Sequence, residues 1–370
     1  GINFNSKKII IKEINKNYLI EGDIANKKEL INPKYFTKIF NYETNFLDNK
    51  NILAETKNEF KFKINSNREI KDLNIVSEVN FDEIFISNKI QNLISLQKGS
   101  IKTNYKKNYL EVDIDSGYSY LNNNYQNNKN DKITIKIIKN NDEDFRIKAL
   151  VKNENNIINS IEISKYFKNI DEFIKDQNLK FGSLNHINFL ISDKNKVKDL
   201  NIKSQLNLDE ILINVKSSKL KKFFPDYKSF LKIRNYKVEL DYSNKNLKLN
   251  SGGFYSLDTK YDKFDFKLIK YKNTYNLNSK ISLDANKILL EDIGYTKNKG
   301  TISEVEFNGK LFKNKEIKIE KINYLENQNN ISLSNLHLTH NYKVADLDKL
   351  KLQFLSNNKK LNDLTILKSN

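Results

Sequence analysis

Few side chains in this chain of 370 residues are spaced for chemistry, and each set has an ordinary structural explanation. His337 and His340 stand three apart, a spacing that suits two metal ligands on a helix. Their segment alternates like a strand, so strand or surface histidines are expected there, and His186 stands alone. Asp82-Glu83 and Asp209-Glu210 look like the carboxylate pairs of glycoside hydrolysis. Each pair ends a strand-like run ahead of an expected helical insert, where acids suit a helix start. Asn140-Asn141-Asp142-Glu143-Asp144 is oxygen-rich but lacks the Gly and the spaced ligands of an EF-hand loop, so a hairpin turn is expected. Gly252-Gly253 forms neither a dinucleotide fingerprint nor a P-loop, and no G-x-S-x-G occurs. Without Cys there is no thiol catalysis, no disulfide and no Cys-based metal site. These residues point to no enzyme, no cofactor and no metal.

The elements that would carry these residues repeat. Lys71–Ile86 (KDLNIVSEVNFDEIFI) returns without a gap at Lys198–Ile213 as KDLNIKSQLNLDEILI, identical at 11 of 16 positions. The substitutions follow strand parity. Val79/Leu206, Phe81/Leu208 and Phe85/Leu212 stay apolar on one parity; Val76/Lys203 and Glu78/Gln205 vary on the other. A side-chain period of two is the mark of a half-buried strand. Asn278–Asp284 echoes Lys203–Asp209 more weakly. A long repeat indicates an extended array before it indicates an active site.

Apolar residues make up only 38% of the chain, yet their alternation argues against disorder. The net charge of +18 comes almost entirely from Lys, the only Arg being Arg68, Arg146 and Arg234. Readers of nucleic acid favour Arg for bidentate contacts, so no nucleic-acid partner is expected. Lys at the outward positions of strands keeps an exposed face soluble. The absence of Cys fits an oxidising compartment such as a periplasm. The chain begins at Gly1 and contains no Met, which implies a piece of a longer polypeptide. No 18-residue apolar run is present, so no transmembrane helix is expected within this piece.

Alternation recurs at Phe60–Ile64, Leu110–Ile114, Ile133–Ile137, Val238–Tyr242, Phe264–Leu268, Ile317–Ile319 and Leu350–Phe354. Turn clusters such as Asn127–Asp131, Ser243–Asn246 and Asn327–Asn330 separate the runs. Connections this short make antiparallel meanders. Helices are expected at Lys27–Phe40, Lys89–Leu96, Ser164–Asp176 (with Ser164 as cap) and Ser217–Phe230. The fold class is mainly β: an elongated, curved antiparallel repeat sheet forming a groove, with a few short helical inserts. The expected organisation is a leading segment with a helix over 1–59, a first β-groove repeat over 60–186, and a second with its continuation over 187–370.

One family shares this phrasing. A strand of the form DLNI-x-S-x-apolar-N-apolar-D leads into the short helical segment Lys219–Tyr227, then the strand pair Tyr236–Tyr242 and Asn246–Asn250, and then Gly252-Gly253. Phe264–Ile269, Leu277–Leu283 and the turn Asn308-Gly309-Lys310-Leu311 follow. In these features the chain resembles the AsmA-like superfamily, specifically its YhdP-type members in Gram-negative bacteria. The stretch 199–354 carries the resemblance best, residues 60–120 carry it through the repeat, and residues 1–50 do not carry it. It implies a periplasmic β-groove, tethered to the inner membrane by a segment not in this chain, whose apolar lumen conducts phospholipid toward the outer membrane and supports envelope integrity. Phospholipid acyl chains are the implied ligand, and the two membranes are reached through other parts of the polypeptide.

The expected lipid-facing residues are Leu73, Ile75, Val79, Phe81, Leu200, Ile202, Leu206, Leu208, Val238, Leu240, Leu277, Ile281 and Leu283. The alternative reading is a structural or adhesive β-repeat protein with a dry core and no lipid.

Overall fold

The computed structural model describes residues 4–32, 51–87, 93–120, 125–126, 131–141, 143–164, 170–174, 177–192, 194, 196–215, 218–228, 230–313, 315–356 and 360–368. Among the described residues the chain is mainly β, 75% strand and 4% helix, and most of its strands form one large antiparallel sheet that does not close. The predicted fold class holds in these terms. The chain divides into two compact units, one of Gly1–Asn156 with Gly182–Ile202, the other of Ile157–Phe181 with Lys203–Asn370.

The first unit contains β1 (Ile9–Ile14), β2 (Asn17–Ile31), β3 (Ile52–Ile64), β4 (Ile70–Ser87), β5 (Leu93–Lys106), β6 (Tyr109–Tyr120), the two-residue β7 (Tyr125–Gln126) and β8 (Lys132–Asn140). Three strands carry residues of both units: β9 (Phe145–Asn159), β10 (Asn178–Ile191) and β11 (Val197–Asn214). The second unit holds α1 (Ser160–Ser164), α2 (Ile170–Phe173), α3 (Ser218–Phe223), β12 (Phe230–Ser243), β13 (Asn246–Ser256), β14 (Asp262–Tyr271) and β15 (Thr274–Ser282). A small insert follows, with β16 (Ile288–Leu290) paired to β17 (Tyr295–Lys297). The unit ends in β18 (Glu304–Phe312), β19 (Ile317–Glu326), β20 (Asn329–Leu338), β21 (Val344–Leu355) and β22 (Leu361–Leu367).

Almost every strand pairs with its neighbour in sequence. β1 through β6 form successive antiparallel ladders, β6 continues to β8, and β8 to β9. In the second unit, β12 to β15 continue through β18 to β22 in the same way. Tight turns permit this. Asn15-Lys16 and Asn244-Lys245 both hold positive φ, the primed geometry that suits the twist of a hairpin.

Register brings one parity to one face. In the second unit a single row runs from Gly253 through Phe264, Ile281, Val305, Tyr324, Ile331 and Leu352 to Leu364. The row on the opposite face reads Asn250, Lys267, Asn278, Asn308, Lys321, Ser334 and Lys349. Each unit has its own apolar cluster. The first gathers Ile31, Ile52, Ala54, Phe81, Ile84, Leu96 and Tyr118. The second includes Leu179, Ile211, Ile233, Tyr255, Leu283, Ile288, Tyr295, Tyr324 and Phe354.

The duplicated segment becomes β4 and β11. Asp72 (φ 54°) and Asp199 (φ 49°) occupy the left-handed region at the same repeat position, and in β4 the pairing register slips there. Left-handed Asp is tolerated where a bulge needs it. One expectation changes. Phe81 is followed in the cluster by Ile84, and Leu208 by Ile211, so the buried parity switches at Asp82-Glu83 and Asp209-Glu210. Phe85 and Leu212 therefore do not share the face of Phe81 and Leu208; Phe85 pairs with Ser95 instead.

The expected helices are corrected in part. Lys27–Ile31 ends β2, because pairing Leu30 with Leu53 and Ile31 with Ile52 buries Ile31 and Ile52. Leu93–Leu96 belongs to β5, where Leu96 packs between Ile84 and Tyr118. Cross-strand burial outweighs local helical spacing in both places. Ser164 is the last residue of α1, and Asn159 Oδ1 accepts the Ile161 N–H at its start (2.9 Å). α3 spans only Ser218–Phe223, and Phe230 opens β12. Residues 33–40, 89–92, 165–169, 175–176 and Ser217 lie outside the described residues.

Glycines opposite phenylalanines lower the apolar floor. Gly22 faces Phe60, Gly99 faces Phe81 and Gly253 faces Phe264 across neighbouring strands. A Cβ on Gly99 would overlap Phe81 Cζ and lie 2.7 Å from Ser116 Cβ. Gly99→Ala is expected to destabilise the fold by about 1–3 kcal/mol through overpacking. Less of that cost should remain beside Phe81→Leu, the residue of the second copy. Urea unfolding of the four-member mutant cycle measures the coupling, and strict additivity would refute the ring contact.

Candidate functional site

The carboxylate pairs singled out in the sequence have separate partners in the structure. Asp82 pairs with Lys28 (2.6 Å), while Glu83 accepts from Ser95. Asp209 pairs with Lys180 (3.1 Å) and Glu210 with Lys232 (3.0 Å), so each carboxylate of a pair has a different partner. His337 lies 3.6 Å from Glu316, and His186 and His340 are exposed. Among the described residues no three His, Cys, Asp or Glu side chains are placed to hold a metal ion. Asn140 accepts the Glu143 N–H (2.8 Å) in the turn between β8 and β9, as expected; Asp142 lies outside the described residues.

An apolar pocket of about 280 Å³ lies in the second unit. Its floor is sheet: Ile233 of β12, Tyr255 of β13, Phe264 of β14, Ile281 of β15 and Leu283 just beyond. Leu231 and Leu257 close its sides, and Leu220, Phe224 and Tyr227 cover it. Leu220 and Phe224 are four apart, one helical turn, so both side chains reach the same side. Pro225 has no N–H to continue the helix, and the chain turns there. Tyr227 is 4% exposed, and its hydroxyl donates to Val215 O (2.6 Å).

Aromatic geometry sets the floor. Phe264 stacks on Tyr236 at 5.9 Å and meets the edge of Tyr255 at 6.2 Å. Gly253 lets the β12 backbone come close, since a Cβ there would lie 3.2 Å from Tyr236 Cα and 3.1 Å from Arg234 O. Tyr255 donates to Ser282 O (2.7 Å), and burial, then Asp262 and Asp284, pushes its phenol well above the ordinary range.

A polar cluster shares the same core. The Tyr295 and Tyr324 hydroxyls share a hydrogen bond (2.7 Å) in which either can be the donor, and both lie within reach of the Glu326 carboxylate. Burial is the main cause that raises both phenols. Lys297 is fully buried, and its Nζ donates to the carbonyls of Asn286 (2.9 Å), Asn298 (3.1 Å) and Asp284 (3.3 Å). Burial lowers the pKa of that ammonium and raises that of Asp262. Asp262 receives the Ala285 N–H (2.9 Å) and the Asn286 amide (2.6 Å).

Of the sequence-predicted apolar residues, Ile281 and Leu283 line the pocket. Leu208 packs against the second cluster, and Phe81 and Val79 belong to the first. Leu240 and Leu277 lie in one row with Leu249 and Leu268. Ile75 lies in a row with Phe60 and Tyr105. Val238 pairs with Ser251. Leu73, Leu200, Ile202 and Leu206 are half-buried on β4 and β11, outside both clusters. Sequence reasoning left the pocket's cover and most of its floor out of the site. The signals were the four-residue spacing of Leu220 and Phe224 and the Gly253 opposite Phe264.

In the first unit the apolar parity is interrupted. Ser77 donates to Asn58 (2.6 Å), Asn58 to Thr56 (3.1 Å), and Thr56 to Asn26, which donates to Lys27 O (2.7 Å). Ser77 sits between Ile75 and Val79 on that parity. Among the described residues no helix is long and apolar enough to cross a membrane. No family model, curated protein or solved structure matches this chain.

The buried phenols fix a pH response. Unfolded Tyr ionises near pH ~10, whereas Tyr255, Tyr295 and Tyr324 stay protonated past that range when folded. Their contribution is therefore intact below about pH 10 and falls above it, each by about 1.4 kcal/mol per pH unit. Lys297 acts in the opposite sense, adding stability as pH rises until unfolded Lys itself ionises near ~10.4. Urea midpoints between about pH 9 and 11.5 should drop steeply, and Tyr324→Phe should flatten the fall by one proton's slope. An unchanged slope in that variant would contradict the assignment.

Proposed function

We propose that this chain is a non-enzymatic lipid-binding protein whose apolar sheet face and pocket take acyl chains. The observation that carries the reading is the pocket itself, walled by ten residues among which only tyrosine hydroxyls are polar side-chain groups. Two of its floor residues, Phe264 and Ile281, lie in a cross-strand row, mostly apolar, that extends over eight strands. An acyl chain leaving water gains about 0.8 kcal/mol per CH₂, so such a surface favours it without any charged group. The sheet does not close, which leaves an apolar face accessible from the side. The opposite face carries Lys, Asn and Ser, as expected of a surface held in water.

The resemblance to AsmA-like proteins points the same way. On that reading the chain works in an aqueous envelope space and moves phospholipid between membranes that other parts of its polypeptide reach. Nothing in the reading needs a chemical step or a cofactor.

The test is binding of a dansyl-labelled long-chain fatty acid, together with mass spectrometry of organic extracts of the purified chain. Phospholipid in the extract and saturable fluorescence are expected. Ile281→Trp, which fills the pocket from its floor, should weaken binding about tenfold, or ~1.4 kcal/mol. Clean extracts at high protein loading without saturable binding would overturn the reading in favour of a structural β-repeat protein with a dry core. An unchanged affinity in Ile281→Trp would move the site away from this pocket.

A further inference from the structure

The pocket's cover differs in kind from its floor. The floor strands β12 to β15 are locked by continuous ladders. The cover is a strap of α3 and residues 224–228, and no strand ladder holds it. Two of its backbone bonds close on the strap itself, Phe224 N to Leu220 O (2.7 Å) and Tyr227 N to Phe224 O (3.0 Å). The Tyr227 hydroxyl bond to Val215 O ties the far end of the strap to the chain just before it.

Ion pairs fasten the strap at three places. Lys222 reaches Asp292 of the insert (3.1 Å), Asp226 reaches Lys299 (3.2 Å), and Lys228 reaches Asp258 (3.0 Å). Lys299 also reaches Asp258 (3.1 Å), which joins two of the pairs into one network. The Asp292 side chain is 81% exposed and Lys228 72%, so water and salt compete for these contacts. Lys228 and Lys299 hold the Asp258 carboxyl below its usual range, so the network stays charged around neutral pH. Leu220, Phe224 and Tyr227 add apolar contact, and they line the space that an acyl chain would occupy.

We infer that this strap is a lid, clasped by ion pairs to the insert and to the 256–261 turn, which must lift for an acyl chain to enter or leave the pocket. The inference rests on the lipid-binding reading and adds where the ligand passes. Lids of this kind gate exchange without altering the chemistry of the site.

The chain contains no Cys, so two introduced thiols can be addressed alone. Lys222→Cys with Asp292→Cys, bridged by a short bis-methanethiosulfonate, holds the strap down until dithiothreitol removes the bridge. The readout is the rate at which dansyl-labelled fatty acid enters and leaves, measured by stopped flow on the same sample before and after reduction. Bridging is expected to slow both rates at least about tenfold, with recovery on reduction. Equal rates in the bridged and reduced forms overturn the lid while leaving the pocket intact. A reduced form that binds no fatty acid, when unmodified protein also binds none, overturns the lipid reading and the lid with it. Lys228→Cys with Asp258→Cys asks the same question at the other end of the strap, should the first pair perturb folding.

Discussion

An antiparallel ladder fixes which side chains face together, and this chain depends on that constraint throughout. Because neighbours in the sheet are neighbours in sequence, a two-residue turn such as Asn244-Lys245 sets the register of every residue behind it. A slip of one residue between β14 and β15 would send Ile281 from beside Phe264 to the side that holds Lys267 and Asn278. Two of the places where the register shifts fall at residues that tolerate the left-handed region. Asp72 does this in β4, and Asn235 does it where β12 passes Gly253.

Two groups of polar side chains held on or near the apolar surfaces meet a second requirement, that a buried donor find an acceptor. The chain Ser77–Asn58–Thr56–Asn26 hands its donors along one after another and ends on a backbone carbonyl. Lys297 meets the same need with three carbonyl oxygens. Both arrangements keep a low-dielectric site from carrying an unanswered donor. They also explain why the apolar surface is best developed in the second unit, where the polar cluster lies among Tyr295, Lys297 and Tyr324 rather than across the middle of the sheet.

Much of the sheet was legible in the sequence because its signal is local. Alternation at Val238–Tyr242 and Phe264–Leu268 became β12 and β14, and the Asn-rich clusters became their turns. The helical spacing at Lys27–Ile31 misled because the competing interaction, burial against Ile52 and Leu53, is invisible to a local window. The parity switch at Asp82-Glu83 was hidden for a related reason. Phe85 and Ile84 are both apolar, and only the partners Ser95 and Leu96 distinguish their faces. The pocket was half legible: Ile281 and Leu283 follow from alternation, but Tyr227 and Leu257 come from segments that have no period.

The meander also bears on how the chain reaches this state. In most β-sheet proteins, distant segments must meet before their contacts reward them, and closing those loops is the slow part of folding. Here β18 to β22 pair in strict succession, so each hairpin can form on the one before it. Such a topology places little demand on long-range search and lets order spread along the polypeptide strand by strand, as in solenoids built from stacked repeats.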